Sequence, residues 1–344
     1  MDASPVVDVG IPVYKRADYL AGAIESVLAQ TMGHFRLLIS EDGPATEAVR
    51  LAVAPYLEDP RVSLAAAGEH LGAARHMTRI VAAGQAPYFA LLHDDDLWDD
   101  TFLERRVALL DAHPECGFVF SRVRVIGADG AELEQMPETL PEGVYTPAEI
   151  VPILVNGNFV PSPAVVVRRG AYDSVGGSFD LAFARIYDFE LWFRLAVAAP
   201  VGVLAGTDAA WRVHDRQSTR SVADRQHEFA LFLDRAQRGA TDVPGFVLSE
   251  RDSRRILAGW SLTNALDAAE QGDVRVSLMN VRAAVRARPT VAVDPRFVTL
   301  LLTLPFGRPG ARALRALRTK IRRSNVDVHV ATRVASSLGS RRAG

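Results

Sequence analysis

The sequence predicts an α/β fold: a mixed, mainly parallel sheet flanked by helices, with a smaller helical C-terminal region. Three observations predict it. From residue 6 to about 112, short β-rich runs alternate with helix-period segments, the pattern of βαβ units. After about residue 225 strand signals almost vanish and the apolar spacing turns helical. With 344 residues, 49% hydrophobic and 23% charged, the chain can bury a sizeable core in one large and one smaller domain.

The elements follow in order. Strands are expected at 6–11, 35–40, 62–64 and 88–93, with helices near 18–30, 45–57 and 72–83, whose apolar residues recur every three or four positions. Thr101-Phe-Leu-Glu104 reads as a capping box opening the next helix. Thr146-Pro-Ala-Glu149 reads as a second box, with proline at the first helical position. Between them, GFVFSRVRVIGADGAELEQ reads as two antiparallel strands joined at Ala128-Asp129-Gly130. A strand at 159–167, a helix at 188–197 and a strand at 201–204 complete residues 1–222. Residues 223–344 are expected to be helical, with segments near 224–238, 251–270 and 273–288; the last two resemble a single tetratricopeptide-type hairpin.

Composition narrows the function. The single cysteine, Cys116, lies in an apolar stretch and reads as a buried, inert thiol. The amino terminus lacks a basic region ahead of an apolar one, and no apolar run reaches the roughly 18 residues of a membrane span, so a cytoplasmic location is expected. Residues 301–344 hold ten Arg or Lys against one acid, Asp327, which leaves about −11 on the rest. Within that tail, 307–323 places Leu314, Leu317 and Ile321 on one helical face among basic residues, the pattern of a helix lying on anionic lipid. The tail has no interleaved aromatics and the body is acidic, which argues against nucleic acid.

In open α/β sheets ligands bind outside the carboxyl ends of the strands. Three polar groups fall at such ends: Pro12-Val-Tyr14-Lys-Arg16, Glu41-Asp42-Gly43 and His93-Asp94-Asp95-Asp96. Two unit charges ~6 Å apart at an effective dielectric of ~20 repel by roughly 3 kcal/mol, so the acidic triplet calls for a cation. Mg²⁺ or Mn²⁺ suits it, since these ions take one or two carboxylates and complete their shell with water and phosphate. The plainer reading is a solvated loop capping the next helix.

Five motifs in order, IPVYKR, LLISEDGP, YFALLHDDDLWDDTFLERRVALL, GGSFDLAFARIYDFELWFRLA and WRVHDRQSTRS, resemble glycosyltransferase family 2, of the Rossmann-like GT-A fold, over residues 6–222. The resemblance implies single-sugar, inverting transfer from a nucleotide-sugar donor of UDP, GDP or dTDP type to a hydroxyl acceptor, a lipid-linked glycan among the choices, with Mn²⁺ or Mg²⁺. It places Pro12, Tyr14 and Arg16 beside the nucleotide and Asp42, or in reserve Glu41, on the base. Asp94 would face the ribose and Asp95 the metal, with Asp96 assisting and His214 completing the shell; His93 stands where the family often has an acid. In HLGAARH, Gly72 would let the backbone approach the donor and Arg75 would face phosphate, while His70 and His76 read equally as parts of a surface turn. Asp188 would be the general base, with Tyr187 replacing a common second acid; the plainer reading is a helix cap. Gly176 and Gly177 would lie on the acceptor side, with Trp192, whose helix-interior position reads as core.

Rival readings are weaker. PVYKRADYL after the first strand lacks the G-x-G-x-x-G turn of a dehydrogenase and the glycine-rich phosphate loop of a sugar nucleotidyltransferase. Gln217-Ser-Thr-Arg220-Ser221 lacks the tryptophan of the Q-x-x-R-W pattern of processive synthases. A non-catalytic sugar- or partner-binding module on a degenerate scaffold remains the reading of a different class, motivated by His93 and Tyr187.

Overall fold

The structure, a computed structural model, describes residues 4–214, 226–239 and 242–303, with Gly310. The basic segment 307–323 and the stretch around 222, where the sequence puts its domain boundary, lie outside the described residues. The chain divides into two compact units, Met1–Val151 with Asn158–His214, and Pro152–Gly157 with Asp215–Gly344.

In the first unit β1 (Val7–Val13) pairs in parallel with β2 (Phe35–Glu41) on one side and β4 (Tyr88–Leu91) on the other, and β2 pairs in parallel with β3 (Val62–Ala66). Every residue of β1 is buried, as expected of a central strand covered on both faces. The crossovers are made by α1 (Leu20–Leu28), α2 (Glu47–Val53) and α3 (Ala73–Ala82). Leu20, Ala23, Ile24 and Val27 form the buried stripe of α1. Gly10 in β1 admits α3 closely, since a Cβ there would stand 2.3 Å from Ile80 Cγ2. The order β3-β2-β1-β4 reverses direction at β1, so a crevice opens between the carboxyl ends of β1 and β4.

The expected alternation holds through α4 (Phe102–Ala112), after which the sequence reading needs correction. The run after Cys116 does not form one long strand. It breaks into β6 (Phe118–Ser121), which joins the large sheet, and β7 (Arg124–Ile126), which joins a second sheet and pairs antiparallel with β8 (Glu132–Gln135) around the expected turn. Two further strands escape periodicity because they are so short: β5 (Leu97–Trp98) and β9 (Gly143–Tyr145). After α5 (Pro147–Leu154), the expected strand at 159–167 shrinks to β10 (Val165–Arg168), because Ser162-Pro163 makes a helical turn ahead of it. β10 runs antiparallel to both β4 and β6, so the sheet is mixed. α6 (Arg169–Ser174), α7 (Tyr187–Ala198), β11 (Val201–Leu204) and β12 (Ala209–Arg212) follow, and β12 pairs with β5 and β7. The sheets are of eight strands, β3-β2-β1-β4-β10-β6-β11-β9, and four, β5-β12-β7-β8, among the described residues.

The capping box at Thr101 does not close. Glu104 instead accepts from the Thr31 hydroxyl at 2.7 Å, and the free Leu103 N–H donates to Gln30 Oε1 at 2.9 Å, so side chains after α1 cap α4 from outside. At Thr146 the reach-back half of the box forms, Glu149 accepting from Thr146 N at 2.9 Å.

One polar cluster ties these layers together. Arg106 of α4 is 0% exposed; its guanidinium donates to Asp208 Oδ1 and Oδ2 at 2.8 and 3.0 Å, to Ser121 Oγ at 2.6 Å and to the Ala164 carbonyl at 3.1 Å. It also lies 3.5 Å from the Phe102 ring centre. Burial pushes the Asp208 carboxyl up, but the hydrogen bonds and charge of Arg106 hold it below the ordinary carboxylate range. Cys116 is fully buried, its thiol pushed up to about 11 by burial, in keeping with an inert role.

The second unit is helical: α8 (Gln226–Gly239), α9 (Glu250–Gln271), α10 (Val274–Ala287) and α11 (Pro295–Thr303). Gly272, at φ 81°, ends α9, and Asp273 caps α10 by accepting from Val276 N at 3.0 Å. The hairpin so formed packs Ala258, Leu262, Ala265 and Ala269 with Val281 and Ala284. Among the described residues no helix is long and apolar enough to cross a membrane.

Candidate active site

The three polar groups singled out in the sequence do converge at the carboxyl ends of β1, β2 and β4. Pro12 is buried as the strand ends, and Lys15, at φ 59°, turns the chain left-handed before Arg16. The acidic turn after β4 is itself buried, with Asp94 and Asp95 7% exposed and Asp96 1%.

Each acid of the turn has a different set of partners. Asp96 faces inward: its Oδ1 accepts from Arg212 N at 2.8 Å, and its Oδ2 lies 3.5 Å from His93 Nδ1. Asp95 Oδ2 lies 2.9 Å from His214 Nε2. Asp94 Oδ1 and Asp95 Oδ2 each lie 3.4 Å from Arg16 Nη2, and Arg16 Nη1 lies 3.4 Å from His214 Nε2. Burial and the Asp95 charge push the Asp94 carboxyl up to about 7, against the pull of Arg16. Burial alone would lower His93, but the Asp96 hydrogen bond and the three carboxylate charges carry it up to about 9. The carboxylates of the turn thus favour the charged form of His93, against its burial.

Arg212, which sequence reasoning passed over, fixes this turn. Besides its backbone contact to Asp96, its Nε donates to the Asp95 carbonyl at 2.8 Å and its Nη1 to Gly127 O at 3.0 Å, while the guanidinium lies 4.6 Å from the Tyr19 ring centre. It stands inside the WRVH motif, two residues from His214, so a signal was present but was read only for its histidine.

A metal at this site can be tested against the donor set. Among the described residues no three His, Cys, Asp or Glu side chains group to hold a cation. Asp95 and His214 supply one carboxylate oxygen and one imidazole nitrogen side by side, which fits Mn²⁺ or Mg²⁺ completed by water and substrate phosphate.

At the β2 end, the two candidate acids differ. Both Glu41 oxygens are engaged by Thr46, from its backbone N at 2.8 Å and its hydroxyl at 2.7 Å, at the start of α2. Asp42 accepts from Leu71 N at 2.6 Å and Gly72 N at 3.1 Å, and its Oδ2 lies 2.9 Å from His70 Nδ1. It thereby holds the 70–72 turn, where Gly72 adopts φ 79° ahead of α3. His70 stacks on Tyr14 with ring centres 4.4 Å apart, while Arg75 is exposed in the first turn of α3. His76 is not part of a surface turn as the sequence suggested: it lies in α3, buried against Ser40 Oγ at 2.9 Å.

Asp188 sits in the first turn of α7, half-buried. Its Oδ1 accepts from Phe189 N at 2.7 Å, so one oxygen serves the helix start; Oδ2 accepts from the Ser162 hydroxyl at 2.6 Å. Ser162, unforeseen in the sequence, comes from the helical turn that shortens β10. Asp188, Ser162, Tyr187 and Trp192 line one cavity with His93, the residue that opens the acidic turn. Trp192 packs on Phe118 at 5.6 Å between ring centres, its Nε1 buried without a hydrogen-bond partner among the described residues. Gly176 and Gly177, at φ 106° and 59°, end α6; Gly177 N donates to Tyr172 O at 2.9 Å, and Arg194 of α7 clamps the turn through Val175 O and Ser178 O at 2.6 and 2.9 Å.

Comparison with known proteins bears on the fold and the family. Residues 8–176 match the model of "Glycosyl transferase family 2". The chain is 28% identical over 209 residues to "Uncharacterized protein Rv1520" of Mycobacterium tuberculosis (strain ATCC 25618 / H37Rv), covering 58% of this chain and 57% of that protein. The chain thus spans little more than half the length of this curated relative. Among solved structures, S. aureus TarS 1–349 in complex with UDP-GlcNAc is similar with a TM-score of 0.59 at 15% identity, over 91% of each chain. Mannosyltransferase PcManGT from Pyrobaculum calidifontis, in complex with GDP-Man and Mn²⁺, is similar with a TM-score of 0.55 at 15% identity, over 97% of this chain and 84% of that one. At these identities the two structures share a fold with this chain, the GT-A fold that its motifs suggested. The family resemblance read from the motifs is thus matched by the glycosyl transferase family 2 model over residues 8–176, about half of the chain.

Proposed function

We propose that this glycosyltransferase moves a single sugar from a nucleotide-sugar donor, of UDP, GDP or dTDP type, to a hydroxyl acceptor with inversion, using Mn²⁺ or Mg²⁺. The observation that carries the reading is the 2.9 Å approach of Asp95 Oδ2 and His214 Nε2 beside the end of β4, in a chain of this family. Asp95 and His214 would hold the ion, Asp96 would support it, and Asp94 would face the ribose. When bound, such an ion offsets charge developing on the leaving diphosphate. Pro12, Tyr14, Arg16, Asp42, Gly72 and Arg75 form the donor wall in this reading; Glu41, committed to Thr46, stands behind it.

Asp188 takes the proton of the acceptor hydroxyl, with Ser162 orienting its Oδ2 toward the shared cavity. Gly176, Gly177 and Trp192 belong to the acceptor side. The solved neighbours, one in complex with UDP-GlcNAc and one with GDP-Man and Mn²⁺, support a nucleotide-sugar donor and a divalent ion. Residues 1–222 are read as the transferase domain and 223–344 as the helical region.

The test is thermal stability with UDP, GDP and dTDP, each with and without Mn²⁺. One nucleotide with Mn²⁺ is expected to stabilise the protein by roughly 2.7 kcal/mol at a hundredfold excess over its Kd. Failure of all three to raise the Tm would overturn the donor assignment. Stabilisation without any metal-dependent release of nucleotide from sugar donors would favour the binding-module reading.

The proposed setting is the cytoplasm, on an anionic membrane face reached through 307–323. In support, α11, which leads toward that segment, exposes Val298, Leu301 and Leu302. The full chain is expected to float with vesicles containing phosphatidylglycerol at low salt, and not with phosphatidylcholine alone. Equal recovery on both would remove the electrostatic part of the reading.

A further inference from the structure

Arg16 occupies an unusual place among the groups just described. Its guanidinium lies 3.4 Å from a carboxylate oxygen of Asp94, 3.4 Å from one of Asp95 and 3.4 Å from His214 Nε2. Asp95 and His214 are the side chains at which a divalent cation is proposed to sit, and Asp94 is the one proposed to face the ribose. The distances exceed the roughly 2.7–2.9 Å of a well-formed charge-assisted hydrogen bond, so the guanidinium is near the acids without being locked to them.

The hydrogen-bond arithmetic at His214 points the same way. Nε2 lies 2.9 Å from Asp95 Oδ2, an acceptor, and 3.4 Å from Arg16 Nη1, a donor. A single ring nitrogen offers either one N–H or one lone pair, and cannot serve both neighbours. A cation shared by Asp95 and His214 removes the conflict once Arg16 steps away. A nucleoside diphosphate gives Arg16 somewhere to go, since a guanidinium pairs with phosphate oxygens through two parallel hydrogen bonds.

We infer, building on the metal and donor reading above, that Arg16 is the resident cation of the donor-free site: it shields Asp94 and Asp95 until the diphosphate draws it off and the divalent ion enters. Arg16 is in this account a positioning residue that makes metal binding depend on the donor. A metal ion arriving alone competes with a guanidinium already in place, whereas an ion arriving with the diphosphate does not. Linkage then requires that nucleotide and ion tighten each other by the same factor.

The test is direct Mn²⁺ binding to the full chain, followed by the electron paramagnetic resonance signal of free Mn²⁺, with and without UDP or GDP. In the parent protein nucleotide is expected to tighten Mn²⁺ by roughly tenfold, within the usual range of such couplings. Arg16→Met is expected to bind Mn²⁺ alone about tenfold more tightly than the parent and to show a smaller coupling to nucleotide. Arg16→Lys, which keeps the charge, is expected to stay within about threefold of the parent for Mn²⁺ alone. Arg16→Gln serves if the methionine variant does not fold, as judged by circular dichroism. Folded neutral variants whose Mn²⁺ affinity is unchanged or weaker, in a parent that does bind nucleotide and Mn²⁺, overturn the role of Arg16 alone. A parent that binds neither overturns the donor and metal reading, and the role of Arg16 with it.

Discussion

Asp188→Asn is expected to lower sugar transfer by roughly 10²–10⁴-fold, the usual contribution of a positioned general base. Donor binding should be nearly unchanged, because the cavity carboxylate is assigned to the acceptor proton and not to the nucleotide. The substitution keeps the shape of the side chain and an oxygen able to accept from Ser162 or from Phe189 N, so the helix start should survive. The measurement is kcat and KM for both substrates, beside the Tm shift caused by nucleotide with Mn²⁺. A loss in kcat with an intact nucleotide shift supports the base. Retention of activity within a factor of about three would leave Asp188 as a helix-start residue only, with the base to be sought elsewhere.

Asp208→Ala is the substitution expected to cost most in stability. It removes the anion that pairs with Arg106, a guanidinium 0% exposed, and leaves a charge buried without its partner. Breaking a buried pair in this way costs about 3–5 kcal/mol, which for a unit of this size lowers Tm by about 10 °C. The pH dependence has a definite sign. Because the Asp208 carboxyl is held below its ordinary range in the folded protein, its contribution is fully present above the unfolded value near ~3.9 and is lost as pH falls through the folded value. The gap in stability between parent and variant should therefore be constant from about pH 5 to 7 and narrow below about pH 4. Urea unfolding across that range checks both the size and the sign. A gap under about 1 kcal/mol at pH 7 would mean that water or a neighbouring group replaces Asp208 at little cost.

The two predictions draw on different amounts of sequence information. Asp188 was singled out from its motif, and so were the acidic turn, Arg16 and His214. Arg106 and Asp208 lie 102 residues apart, and neither carries a pattern that announces a buried pair. Ser162 and Arg212 are alike in this respect: their residue types are ordinary, and their importance comes from the groups they meet. Sequence reading was least secure where an element is short or its local signal is answered from elsewhere. Leu97–Trp98 is too short to show a period, and the box at Thr101 fails because Thr31 and Gln30 reach Glu104 and Leu103 first.

The sequence by itself determined the alternation of strands and helices up to α4, the placement of polar turns after β1, β2 and β4, and the family resemblance. Those features are local: a period of two or 3.6 residues, or a short continuous run of sequence, is enough to specify them. The tertiary structure alone decided which acid faces what. It turned Asp96 toward Arg212 and His93, brought His214 to Asp95 across 119 positions, and set Arg16 beside both. The crossovers and the second sheet fix these meetings, and no local pattern encodes the distance between two strand ends. For that reason the chemistry of the acidic turn was legible as a crowding of charge, while its division of labour was not.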